Sequence, residues 1–249
     1  ATYQQSSSVL KSGERGRYVG TAHSAFRTPN SIDPYNRLLW RGPRFRLTSH
    51  AIRDQALFLS GLLVERIGGP PVKPYQPLGI WSDNSLGKIK YQRDSGEKLY
   101  RRTLYTFWRR ATAPTMLFDV ATRQVCEVGT RRTNTPLHAL VLMNDITFVE
   151  SSRKFAERVI KEGGAEPQDR LNLGFRMATS RNPNEVEQTA LLEVLNKMRP
   201  EYQAAPDQAL KLLSIGESPR DESVDPAELA AYSAVMNLLL NLDEAITKE

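Results

Sequence analysis

Apolar residues recur at helical spacing through the second half of the chain. Phe148, Ser152, Phe155, Ala156, Val159 and Ile160 share one face, and Gly163-Gly164 stops the run. A second helix is predicted over about 168–179, with Leu171, Phe175 and Ala178 inward. Asn182-Pro183 opens a third, whose stripe of Val186, Ala190, Leu191, Val194, Leu195 and Met198 runs up to Pro200. Pro206 to Ile215 gives a short one. The clearest start signal is Asp225-Pro226, with Glu228 three places on, resembling a capping box with Asp as the cap. Leu229, Tyr232, Val235, Met236, Leu239 and Leu240 follow on one face.

Ahead of these lies RTNTPLHALVLMND (132–145). Thr135 suits an N-cap and Pro136 the first helical position, with Leu137, Leu140, Val141 and Leu142 continuing the turn. Asn144 is placed to end that helix in the left-handed region, and Asp145 to cap the next.

The first half is less regular. One helix is plain: Thr48 or Ser49 caps it, and Ile52, Ala56, Leu57, Ser60, Leu63, Val64 and Ile67 line a face that Gly68-Gly69 ends. The proline-rich GGPPVKPYQPLGIW (68–81) reads as extended backbone laid on a surface. LYRRTLYTFWRR (99–110) fits a helix or a short strand equally well. The expected fold is therefore mainly α: an irregular Pro/Arg-rich first half (1–131) with one clear helix and room for short strands, then an all-helical bundle (132–249), the two expected to form one domain of 249 residues.

Charge divides along the same line. Residues 1–132 hold 22 Lys+Arg against 9 Asp+Glu, and residues 133–249 hold 12 against 19. Two such halves can attract each other, or the first can build a cationic cleft. Unbroken apolar runs are six residues or fewer, far short of the roughly 20 needed to span a bilayer. The single cysteine, Cys126, excludes an internal disulfide and a CxxCH haem attachment, and is expected as a small buried side chain.

His23, His50 and His138 lie in no metal-ligand spacing, so no metal site is expected. His138 reads as a bystander near a helix start, with a catalytic proton carrier as the alternative. No Gly-rich phosphate loop or GxSxG is present. The strongest chemical signal is arginine density: Arg101, Arg102, Arg109, Arg110, Arg123, Arg131 and Arg132 beside Tyr105, Phe107 and Trp108. Three uses compete: pairing with the acidic half, a cleft for a glycan or an anionic small molecule, and nucleic acid. Against nucleic acid, these arginines alternate with large apolar residues and sit in no recognised nucleic-acid module.

Several strings carry a resemblance: ATYQQSS (1–7), LLWRGPRFRL (38–47), AIRDQAL (51–57), VKPYQPLGIW (72–81), LYRRTLYTFWRR (99–110), FDVATRQVCEV (118–128), RTNTPLHALVLMND (132–145) and the closing segment 216–249. Together they resemble the C-terminal domain of unknown function, the planctomycete secreted domain, of planctomycete-type cytochrome c proteins. The resemblance implies a C-terminal piece of a longer exported protein, periplasmic or at the cell surface. An upstream cytochrome c module and a second uncharacterised domain would be its partners, with haem c held there and no cofactor in this chain. Carbohydrate is the substrate class this context implies. The family pattern commonly has Gln in place of His138, Pro in place of Ile146 and arginines in place of Gly129-Thr130, which argues against a shared role for His138.

Residues that match these strings and are chemically capable are Arg44, Arg46, Lys73, Tyr75, Arg102, Tyr105, Trp108, Arg109, Asp119, Arg123, Arg132, Asn134 and Asn144. In one hypothesis the chain lines the substrate cleft of a haem-linked oxidoreductase. Arg102, Arg109 and Arg132 hold an oxygen-rich or anionic substrate, and Asp119 or Tyr105 moves the proton. In the other it is a non-catalytic helical module for a glycan or partner domain, its arginines pairing inward with groups such as Asp145 or Glu150. The prefix Arg132-Thr133-Asn134, just before a helix N-terminus, is where a site is first expected.

Overall fold

The computed structural model describes residues 11–13, 17–19, 35, 37, 45–77, 79–81, 91–109, 116–121, 125–126, 128–129 and 132–248. The chain divides into two compact units, Ala1–Arg46 with Thr247–Glu249, and Leu47–Ile246. In the first, β1 (Lys11–Gly13) pairs antiparallel with β2 (Arg17–Val19) in the register Lys11 to Val19. In the same unit β3 (Phe45–Arg46) pairs antiparallel with β4 (Thr247–Lys248), Phe45 opposite Lys248.

The second unit is mainly helical. Helix α1 (Ser49–Leu59) starts where the Thr48 hydroxyl accepts from the Ala51 amide, and it buries Ile52, Arg53, Ala56, Leu57 and Leu59. Its face was expected to run on to Ile67. Instead the helix stops at Leu59, because Gly61 takes a left-handed φ of +74° and the amides of Leu62 and Leu63 both fold back to the Leu57 carbonyl. Val64 then bridges in parallel to Arg101, and Ile67 is left 90% exposed.

Beyond it the described residues are held by scattered pairings rather than by a sheet. Val72 bridges to Thr106, its amide donating to the Tyr105 carbonyl at 2.8 Å while Phe107 donates back to Val72 at 2.7 Å. Residues 99–109 form neither the helix nor the strand expected. Two 3₁₀ turns, Gly96–Tyr100 and Thr103–Tyr105, alternate with single bridges. The proline-rich stretch lies on the surface at 68–71, where it is exposed, and packs inward beyond: Val72, Pro74, Tyr75 and Trp81 are buried, with Trp81 stacked on Tyr91 and Phe107.

The bundle follows the apolar periodicity. Its elements are α2 (Pro136–Asn144), α3 (Ile146–Glu162), α4 (Pro167–Thr179), α5 (Glu185–Ala204), α6 (Pro206–Leu213), α7 (Pro226–Leu240) and α8 (Asp243–Ile246). Asp145 caps α3 through the Thr147 amide, and Asn184 with Glu187 forms a full capping box on α5. At α7 the Asp225 carboxylate accepts from the Glu228 amide, but the Glu228 side chain turns away to Arg199, so the box is half made. Thr135 makes no side-chain cap on α2, and Asn144 stays helical, its amide donating to the Leu140 carbonyl. Helix α5 runs through Pro200, where a stop was expected. Met198 and Tyr202 pack on the core from either side, which offsets the roughly 3 kcal/mol a mid-helix proline costs. Phe148, Phe155 and Val159 of α3 join Leu229, Tyr232, Val235, Met236 and Leu239 of α7 in the centre of the core. Among the described residues no helix is long and apolar enough to cross a membrane.

Candidate functional site

The irregular segment is tied down by two buried guanidiniums. Arg53 of α1 is 0% exposed and donates to the carbonyls of Leu99 (2.6 Å) and Arg101 (3.0 Å) and to the Thr103 hydroxyl (3.1 Å). Arg101 in turn donates to the carbonyls of Pro70 and Arg66 at 3.0 Å and to that of Gly68, with the Tyr105 ring 3.9 Å below its guanidinium. Turns without a ladder leave carbonyls needing donors, and a planar fork can satisfy several at once. Burial holds the Arg53 pKa down, to about 10, as expected for a cation taken out of water without a paired carboxylate.

A second buried centre lies on α3. Glu150, Arg153 and Glu157 recur at helical spacing and all are buried. Glu150 Oε1 accepts from the Tyr100 hydroxyl (2.8 Å) and from the amides of Glu217 (2.8 Å) and Ser218 (2.6 Å). The Glu217 amide also donates to the Tyr75 hydroxyl at 2.8 Å. Arg153 donates to the Ser218 carbonyl and hydroxyl, and Glu157 Oε1 accepts from the Asp221 amide. The connection between α6 and α7 thus lies along three charged side chains. Gly216 permits the approach: a Cβ there would come within 2.3 Å of the Glu150 carboxyl carbon, at a φ of +96°. Burial, then the Glu150 bond, pushes the Tyr100 hydroxyl up to about 12, and burial also raises that of Tyr75.

Among the described residues of the larger unit, the nominated side chains have separate partners. Arg44 and Arg123 lie outside the described residues. Arg46 is buried in β3, in the other compact unit. Lys73 has its ammonium 5.7 Å from the Phe107 ring, and its amide donates to Asp94. Tyr75 belongs to the Glu150 centre, and the Tyr105 hydroxyl accepts from the Gly68 amide. Arg102 reaches Asp54 at 3.5 Å, Trp108 is half-buried against the main core, and Arg109, Arg132, Asn134 and Asn144 are exposed. Asp119 and the polar prefix do meet: its carboxylate accepts from the Thr133 amide (2.7 Å) and hydroxyl (2.8 Å), with Asp119 at a φ of +56°.

Among the described residues, the cation beside Glu150 is Arg153 rather than one of the clustered arginines. Asp145 caps α3, and Glu150 serves tyrosines, amides and Arg153. The basic and acidic stretches are joined instead by Tyr100 to Glu150, and by Arg93 to Glu217 at 3.1 Å. His138 is buried with its ring 4.2 Å from that of Phe118, so it is a packed side chain. Cys126 is exposed rather than buried. Among the described residues, no group of three or more His, Cys, Asp or Glu is placed to hold a metal.

Sequence reasoning missed Arg53, Arg153 and Glu157, and named Glu150 only as a partner for the clustered arginines. The signal was there: Arg53 falls between Ile52 and Ala56 on the buried face of α1, where a solvated charge has no place.

Two open depressions flank the C-terminal part of α3. One, of about 580 Å³, is lined by Phe58, Leu63 and Glu65 on one side and by Lys154, Glu157, Arg158 and Lys161 of α3. The other, of about 440 Å³, is lined by Asp169, Asn172, Arg176 and Asn182. Glu162 lines both.

No curated protein and no solved structure matches the chain. A family model does: residues 1–195 match PSD1, described as a protein of unknown function (DUF1553), and the helices from α6 onward lie beyond the matched stretch. With 195 of 249 residues matched, the chain belongs to the PSD1 (DUF1553) family.

Proposed function

We propose that this chain is a non-catalytic helical module, binding a glycan or a partner domain within an exported, cytochrome-linked protein. The observation that carries this reading is where the buried charge goes. Arg53, Arg101, Arg153 and Glu150 spend their hydrogen bonds on backbone carbonyls, backbone amides and tyrosine hydroxyls of the chain itself. Groups used this way brace a scaffold, whereas a catalytic constellation aims them at a shared open position.

The exported setting and the haem c link rest on the family resemblance. With one cysteine, and so no Cys-x-x-Cys-His, the residues of this chain do not fit covalent haem c, which would be carried upstream in the parent.

A second reading, a substrate cleft of a haem-linked oxidoreductase, is favoured by one feature. Asp119, a non-glycine residue in the left-handed region, joins the polar prefix before α2, and such backbone concentrates at working sites. Substrate-dependent haem reduction by the full-length parent separates the two. Under the module reading, Arg109→Ala, Arg132→Ala and Asp119→Asn leave turnover and KM as in the wild type. A loss of tenfold or more in kcat, with the melting temperature kept, overturns that reading in favour of the cleft.

A further inference from the structure

We propose that the two depressions beside α3 form one binding site for a neutral, hydroxyl-rich ligand, an oligosaccharide of several units. The proposal rests on the binding-module reading and names where that binding occurs. Size is suitable, since about 580 and 440 Å³ both fall in the roughly 300–1,000 Å³ typical of ligand pockets. Glu162 belongs to both linings, so a ligand longer than either depression would pass over it.

The charge of the lining excludes a polyion. Lys154, Arg158, Lys161 and Arg176 are matched by Glu65, Glu157, Glu162 and Asp169, so neither a phosphate backbone nor a basic peptide gains a net field. An apolar peptide has little to hold, as Phe58, Leu63, Leu173 and Pro183 are the only large apolar contacts. What the lining offers is a dense mixture of fixed donors and acceptors. Arg158 is held between Glu162 (3.0 Å) and the Leu59 carbonyl (3.2 Å), and Asn172 by Gln188 at 2.9 Å, so these groups are oriented before a ligand arrives.

Asp169 and Arg176 make no side-chain bond with the described residues and stand exposed on the same wall. Carboxylate, guanidinium and amide groups pair with neighbouring hydroxyls two at a time, which suits a sugar ring. At the far end Phe58 is 60% exposed beside these polar groups, an aromatic face for the C–H side of such a ring.

The test is a titration of the 249-residue chain with cellotetraose, maltotetraose and chitotetraose, followed by amide chemical shifts. At least one should give saturable shifts confined to residues 58–65, 154–163 and 169–183. Phe58→Ala and Arg176→Ala, both exposed changes, should each weaken it tenfold or more with the melting temperature unchanged. The site is overturned if none of the three shifts these amides, if both variants bind like the wild type, or if an extended neutral decapeptide shifts them and the saccharides do not. Failure here with the parent's turnover still indifferent to Arg109, Arg132 and Asp119 removes the site alone. Failure of the turnover test removes the module reading whatever the saccharides do.

Discussion

The irregular segment, described over 62–77, 79–81 and 91–109, and the bundle 136–246 satisfy their buried backbone by opposite means. In the bundle each helix satisfies its own backbone, so the core between α3 and α7 is built on Phe, Leu, Val and Met, and the buried charges of α3 serve the connection between α6 and α7. Among its described residues the irregular segment has few repeating backbone bonds, and it brings charge indoors to replace them. Arg53 and Arg101 reach five carbonyls between them, those of Leu99, Arg101, Pro70, Arg66 and Gly68. The lesson is that a buried arginine here is a backbone element in side-chain form, and its removal should resemble melting a strand.

The largest expected effect is therefore at Arg53. Arg53→Met leaves the Leu99 and Arg101 carbonyls unpaired at a cost of about 1–3 kcal/mol each and removes one of the two bonds of the Thr103 hydroxyl, which still donates to Asp54, for a total of about 3 kcal/mol or more. Near-ultraviolet dichroism, which reads the Trp81 stack, should collapse at lower denaturant than the far-ultraviolet helical signal. Coincident transitions at the wild-type midpoint would erase the distinction between the two regions.

Next comes the seam between them. Gly216→Ala drives a Cβ into the Glu150 carboxyl and should destabilise by about 2–4 kcal/mol. Gly164→Ala, at a similar φ of +87° but with open space around it, should cost only about 1 kcal/mol. Equal losses in the two would mean that backbone conformation, not the Glu150 contact, sets the requirement.

The same seam responds to alkali. Tyr100 titrates at about 12 in the folded chain, and Tyr75 is shifted upward too, against about 10 for a free tyrosine. The unfolded chain loses these protons first, so the stabilisation is full below pH of about 10 and is lost as pH rises toward 12. Urea midpoints at pH 9 and 11.5 should fall less for Tyr100→Phe than for the wild type. An identical fall would place the alkaline sensitivity elsewhere.

The smallest effect belongs to the bundle. Asp225→Ala removes one cap from α7 and should cost about 1 kcal/mol, seen in both dichroism regions together.

The bundle was legible because burial there follows a single period. Phe148 to Ile160 and Leu229 to Leu240 announce their faces, and Asp145 and Asp225 announce their starts, whereas α5 starts at Asn184, two places after the Asn182-Pro183 opening expected. Local rules failed where distant packing decides. Pro200 is carried inside α5 by Met198 and Tyr202, and α1 ends early because Gly61 turns the chain toward Tyr100 and Arg101. The candidate site was less legible still. Charge along the sequence points to a ligand or to opposite charges as partners, yet several charged side chains serve carbonyls and amides forty or more positions away, as Arg53 does for Leu99. The depressions beside α3 are assembled from α1, α3 and α4, and a linear reading brings those helices together only through their apolar faces.

The pairing of β3 with β4 sets an order of events during synthesis. Phe45 and Arg46 leave the ribosome about two hundred residues before Thr247 and Lys248, and the Gln55 side chain waits across 190 positions for the Ala245 carbonyl. Contacts so far apart in sequence close late and slowly. During translation α1 therefore lacks its last partners while the helices that follow are already able to condense. A nascent chain halted before residue 245 should bind chaperones through this early segment, and release should coincide with the arrival of the final strand.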